Sequence, residues 1–164
     1  MNPARPGWWR GARGEWYVAG QTVLFLFLMF GPRSAAWLPS WPPALGAVAR
    51  SAGILLLAAG TILLFVAVGR LGNSLTALPA PKPGSRFVAQ GPYAIVRHPI
   101  YAGVLLMAFG GAFAARGTLM LLEAVALLVL LGFKAAREER WLVERYPEYR
   151  DYQRRVRKLI PFIY

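Results

Sequence analysis

Seven side chains able to do chemistry fall in two short stretches: Tyr93, Arg97, His98 and Tyr101 within GPYAIVRHPIY (91–101), and Lys134, Glu138 and Glu139 within 134–139. His98 is the only histidine, and a lone histidine is more often a satisfied interfacial group than a catalyst. Its neighbours change that balance. Arg97, His98 and Pro99 stand where a polar loop meets an apolar run, and Pro99 holds His98 extended while opening the next helix. Donors gathered at a helix amino terminus suit a carboxylate or phosphate. Lys134 and Glu138, four apart, share a helix face. Spacing alone predicts an exposed ion pair worth roughly 0.2–0.5 kcal/mol; the alternative is that the pair is aimed at the same ligand as His98. Glu138 and Glu139 are adjacent, so they are expected to point in different directions and not to serve one site.

The elements that must position these groups are read from the apolar runs. Hydrophobic residues make up 57% of the 164, and mean hydropathy is +0.42, both high for a water-soluble domain. Three windows carry no charge: Trp16 to Pro32, Ser51 to Gly69 and Pro99 to Ala115; a fourth, Gly117 to Phe133, carries only Glu123. A membrane-spanning helix needs about 20 apolar residues. The pattern predicts an all-α integral membrane bundle of about four spans with a carboxyl-terminal helical cap, the shorter spans reaching bilayer length by interfacial Trp and Tyr and snorkelling Arg and Lys.

A net charge of +12 raises nucleic-acid binding as an alternative, and the placement of the charge argues against it. With a cytoplasmic amino terminus and four spans, sixteen basic residues fall on the cytoplasmic side and three, Arg33, Arg50 and Arg116, on the other. That asymmetry predicts an inner-membrane, multi-pass protein with both termini in the cytoplasm, its charge serving topology and anionic lipid. The first apolar run lacks a small-residue cleavage site, so it is expected to be retained. Absence of cysteine excludes disulfides and thiolate metal sites, and a single histidine makes zinc a poor fit. No Walker loop or G-x-G-x-x-G stands in the chain.

Along the chain, 1–14 reads as a tail, 15–69 as the first two spans, 70–99 as a cytoplasmic loop, 100–133 as a helical hairpin and 134–164 as cytoplasmic helices, together one domain. The loop is long and proline-broken, which favours a functional role, and 88–93 reads as a turn into a short helix started by Pro92. The hairpin turns at Arg116-Gly117, and Gly103, Gly110 and Gly111 are expected to bring its two arms close. Glu123, inside the second arm, should face protein, a cavity or a hydrogen-bond partner. Pro147 divides the tail, and Tyr149, Tyr152, Val156 and Leu159 form one helical stripe that would lie on the membrane or cover the loop.

These residues resemble a known family. Gly91-Pro92-Tyr93, Arg97-His98-Pro99-Ile100-Tyr101 and Gly103, followed by Glu138-Glu139, Leu142, Tyr149, Tyr152, Val156 and Pro161, are similar to the isoprenylcysteine carboxyl methyltransferases and their small prokaryotic relatives; phospholipid N-methyltransferases are similar too. The resemblance runs from Leu78 to Phe162. It implies methyl transfer from S-adenosylmethionine to a lipophilic or small acceptor at the cytoplasmic membrane face. Ser85, Arg86, Phe87, Val88, Tyr93, His98, Pro99, Ile100, Tyr101 and Glu138 would contact the cofactor, with Arg97 and His98 anchoring its carboxylate. Lys134, Arg97 and Glu139 would be the catalytic group. Lys134 stands where the eukaryotic enzymes have an arginine that meets the substrate carboxylate, and lysine lacks the bidentate fork. Two other readings compete: a sterol-type reductase using NADPH, which also carries HPxY but usually has Asn where Ile100 stands, and a non-enzymatic membrane scaffold.

Overall fold

The computed structural model describes residues 13–80 and 83–161. Of the amino-terminal tail of 1–14 read from the sequence, 1–12 lie outside them. Five α-helices follow in order: α1 (Glu15–Phe30), α2 (Gly46–Leu71), α3 (Pro99–Ala115), α4 (Thr118–Arg145) and α5 (Tyr149–Arg155). Among the described residues there is no β-strand, and one isolated parallel bridge joins Val96 to Arg157. The fold is an all-α membrane bundle. The helical stretches Pro43–Ser74 and Thr118–Arg145 are long and apolar enough to cross a bilayer, and α1 and α3 are shorter apolar helices.

Local chemistry sets the helix ends. Pro99 occupies the first turn of α3, directly after His98, whose backbone at φ −124° and ψ 64° is neither helical nor fully extended; the residue before a proline is kept out of the helical region. Arg116 ends α3 in the left-handed conformation at φ 52°, and its amide reaches the carbonyls of Ala112 and Phe113; Gly117 then donates to Ala112. That closes the hairpin at the predicted place. Helix α4 does not pause at Phe133, where the hairpin was expected to end: it runs unbroken to Arg145 and stops just before Pro147, because nothing between 118 and 145 breaks a helix.

The expected glycine contact falls elsewhere. Gly103 and Gly110 face α2, where they meet Gly60 and Gly53, one heptad apart on each helix. A Cβ built at Gly60 would stand 2.6 Å from the Gly103 carbonyl oxygen, and one at Gly110 would stand 2.7 Å from the Leu57 nitrogen and 2.8 Å from the Gly53 carbonyl oxygen. Only hydrogen fits at such a crossing. Of the three glycines assigned to the hairpin, Gly111 alone faces α4, in ordinary contact with Met120. On the other side α1 packs on α4: Leu24, Phe25 and Leu28 lie against a core centred on Leu127 and Leu131. The spatial order is therefore α2, α3, α4, α1.

Candidate active site

Four segments meet at the end of the bundle where α1 and α3 begin and α2 and α4 finish, and each is pinned by identifiable bonds. His98 is fixed first by its backbone: its amide donates to Lys158, and the amide of Arg97 donates to Arg157. The tail beyond α5 is thus extended, running beside Val96–His98. The stripe Tyr149, Tyr152, Val156, Leu159 is helical only as far as Arg155, and it covers the loop because backbone pairing with 96–98 takes over from helix propagation.

Behind the backbone lies a buried polar cluster. Arg97 grips Glu139 with a fork, Nε to Oε1 at 2.7 Å and Nη2 to Oε2 at 3.3 Å, while its Nη1 donates to the carbonyls of Gln153 and Val156. Gln153 donates to Glu139 as well. His98 Nε2 lies 3.0 Å from Glu139 Oε1, and Nδ1 lies 3.8 Å from Glu138 Oε2. The two glutamates, expected to serve different places, approach the two nitrogens of one imidazole. The short loop into α3 sets the ring between two successive positions of α4, which spacing on α4 alone could not show. A carboxylate at Nε2 holds that nitrogen as the N–H donor and leaves Nδ1 toward Glu138.

In front of the cluster is a cavity of about 320 Å³, within the range of small-molecule sites. Of the residues singled out from sequence, Ser85, Arg86, Phe87, Val88, Tyr93, Arg97, His98, Pro99, Ile100, Tyr101, Lys134 and Glu138 all line it; Glu139 sits behind. Tyr101 donates to Glu138 Oε2 at 2.8 Å, and its ring stacks on His98, centroids 5.2 Å apart and planes 3° from parallel. The predicted exposed ion pair does not form. Lys134 is 2% exposed and turns away from Glu138 to donate to Gln21 Oε1 at 2.7 Å, its Nζ 5.2 Å from the Tyr101 ring centre.

The loop wall is held by aromatic packing. Phe87 contacts the rings of Tyr146, Tyr149 and Tyr152 at 5.2–5.9 Å, and the Tyr146 hydroxyl donates to the Ser85 carbonyl at 2.6 Å. Tyr152 donates to the Tyr93 carbonyl. Burial pushes the hydroxyls of Tyr93, Tyr149 and Tyr152 far above their usual range, so they remain neutral donors at physiological pH. Tyr149 lines the cavity and its buried hydroxyl has no hydrogen-bond partner among the described residues. Glu123 Oε2 is buried, as an acid turned toward protein would be, and likewise lacks a hydrogen-bond partner among the described residues.

Sequence reasoning missed part of the lining: Val18 and Gln21 of α1, Leu71 and the stretch 74–77 with Ser74 and Thr76, and Tyr146. For Gln21 a signal existed, since it is an amide inside an apolar run, but a search for charges passes over it. Leu142, Tyr149 and Tyr152 stood in the family pattern without a site role.

Comparisons with known proteins bear on the fold and the family. No curated protein matches the chain significantly. Among solved structures, the eukaryotic intramembrane Ras methyltransferase ICMT (isoprenylcysteine carboxyl methyltransferase) superposes with a TM-score of 0.61 at 24% identity, over 99% of this chain and 55% of that one. This chain spans about half the length of that enzyme, and the likeness is one of fold. The profile of the phospholipid methyltransferases matches residues 48–149, well over half of the sequence and nearly all of the cavity wall outside α1, and so the chain belongs to the phospholipid methyltransferase family.

Proposed function

We propose that this membrane methyltransferase uses S-adenosylmethionine, held in the cavity beside His98, to methylate a lipophilic acceptor. The cofactor site would face the cytoplasm, in a multi-pass inner-membrane protein whose single domain keeps both termini on that side. The observation that carries the reading is the convergence on one cavity of 85–88, Tyr93, 98–101 and Glu138, the residues that the resemblance assigns to the cofactor.

The donor set fits such a ligand with one revision. Arg97 is engaged by Glu139 and two carbonyls, so it serves as the latch that fixes His98 and the tail. A cation available to a carboxylate is Arg86, exposed on the loop that lines the cavity. Glu138 and His98 Nδ1 would accept from an ammonium, and Glu138 is held ready by Tyr101. The rings of Tyr93, Tyr101 and Phe87 offer π-faces to a sulfonium or a base. The Tyr149 hydroxyl supplies a donor that no group among the described residues uses. When bound, S-adenosylmethionine supplies an already activated methyl group. What the chain must add is alignment and exclusion of water, which can contribute several kcal/mol; a strong base is not required for a thiolate, carboxylate or amine acceptor.

The test is transfer of radiolabelled methyl from S-adenosylmethionine into total membrane lipids by the purified protein, with His98→Ala as control. Label should enter the lipid fraction with the native protein and fall at least tenfold with the variant. Binding of NADPH in place of S-adenosylhomocysteine would instead favour the reductase reading.

A further inference from the structure

Gln21 is an unusual residue where it stands. Helix α1 is otherwise apolar through this stretch, and its nearest polar neighbour, Thr22, is satisfied within the helix by the Val18 carbonyl at 2.9 Å. A polar side chain at bilayer depth is costly unless it is partnered, and it commonly marks a ligand path. Gln21 reaches across to α4, 113 positions away, and accepts from Lys134 at 2.7 Å. Both residues line the cavity. Lys134 lies one helical turn, about 5.4 Å, farther into the bundle than Glu138, so the pair forms the bilayer-side end of the cavity while Glu138 and His98 belong to the other end.

The bond fixes which face Gln21 shows. With Oε1 occupied by an ammonium, the amide is oriented and its Nε2 carries two N–H donors for which no protein acceptor is found among the described residues. Lys134 has no carboxylate within ion-pair distance there either: its Nζ meets Gln21 and the Tyr101 ring. The Gln21 amide and the Lys134 ammonium therefore both present donors at this end of the cavity.

We propose that Gln21 selects the methyl acceptor: its amide, locked by Lys134, donates to an oxygen of the acceptor's head group, and Lys134 is the positioning residue that presents it. The inference rests on the methyltransferase reading and narrows the acceptor to a chain-bearing molecule whose head carries hydrogen-bond-accepting oxygen. An ammonium head, which only donates, is disfavoured because it would meet two donors.

The experiment is calorimetric binding to the full chain in detergent, saturated with S-adenosylhomocysteine, using three probes: hexadecanoate, hexadecylamine, and acetate, which has the same head as the first without its chain. The native protein should bind hexadecanoate at least tenfold more tightly than either of the others. Gln21→Leu should lose that preference at least tenfold, Gln21→Asn should restore part of it, and Gln21→Glu, which pairs with Lys134 but presents only acceptors, should shift it toward hexadecylamine. Affinity for S-adenosylhomocysteine should stay within twofold in all three variants. Equal binding of the two long-chain probes by the native protein, tight binding of acetate, or an unchanged preference in Gln21→Leu would each overturn the assignment of Gln21 while leaving the cofactor site standing. Parallel loss of S-adenosylhomocysteine binding in Gln21→Leu would make the residue structural. Failure of the native protein to bind S-adenosylhomocysteine would remove both readings.

Discussion

Two helices flank the α3–α4 hairpin, and they hold it by opposite means. Helix α2 meets α3 backbone to backbone, through Gly53 and Gly60 against Gly110 and Gly103. Helix α1 meets α4 through side chains, Leu24, Phe25 and Leu28 on the apolar side and the Gln21–Lys134 bond at the cavity. A glycine seam has no rotamers to change and admits one arrangement; a side-chain seam can repack. Tyr101 and His98 are therefore carried on the rigid wall, while α1 forms an adjustable wall at the end of the cavity proposed for the acceptor. A site that must hold one fixed ligand and admit another from the bilayer gains from that division.

The strongest way to break this comparison is to add the same side chain to both seams. Gly60→Leu drives carbon into the Gly103 carbonyl and should destabilise by about 3 kcal/mol or more, enough to abolish recovery of folded protein from detergent. Gly20→Leu, where a Cβ meets only the Leu130 side chain at 3.6 Å, should cost less than about 1 kcal/mol by thermal unfolding. Equal damage from the two would mean that the seams do not differ.

The second prediction concerns the latch behind the rigid wall. Glu139→Ala leaves the Arg97 guanidinium, whose side chain is 11% exposed, without its carboxylate; removing one partner of a buried pair costs about 3 kcal/mol. Thermal unfolding should fall accordingly, and protease should cut first beyond α5, because Gln153 loses its bond to Glu139 and the Arg97 guanidinium that donates to the Gln153 and Val156 carbonyls is no longer held in place. Tyr101→Phe is smaller. It removes one hydroxyl donor to Glu138, about 1.5 kcal/mol for a bond to a charged acceptor, and should weaken S-adenosylhomocysteine about tenfold with little effect on folding. Smallest is Gly132→Ala on the side of α4 where a Cβ meets nothing within 4 Å: helix propensity predicts a gain of up to about 1 kcal/mol, and a loss would reveal a close neighbour there.

Much of this was legible before the structure, and the exceptions share a cause. Pro99, Pro147 and Arg116-Gly117 set element ends because backbone chemistry acts locally. The loop and the RHPxY segment could be paired with Glu138 because the ordered motif spans them both. What the chain does not encode locally is which neighbour a face meets. Gly103 and Gly110 were assigned to the hairpin arm that follows them, yet they serve the helix before, since a small residue announces close approach without naming the partner. Lys134 shares a helix face with Glu138 by spacing, yet its hydrogen-bond partner lies on α1. The Tyr149, Tyr152, Val156, Leu159 stripe fits a helix by spacing, but backbone bonds from Arg97 and His98 to Arg157 and Lys158 end the helix at Arg155.

The central claim is that Glu138 and His98 form the cofactor end of the cavity, and titration of S-adenosylhomocysteine into the detergent-purified protein by calorimetry tests it most directly. Binding by the native chain, with a loss of at least tenfold in both Glu138→Ala and His98→Ala, is the predicted result. Unchanged affinity in both variants would contradict it.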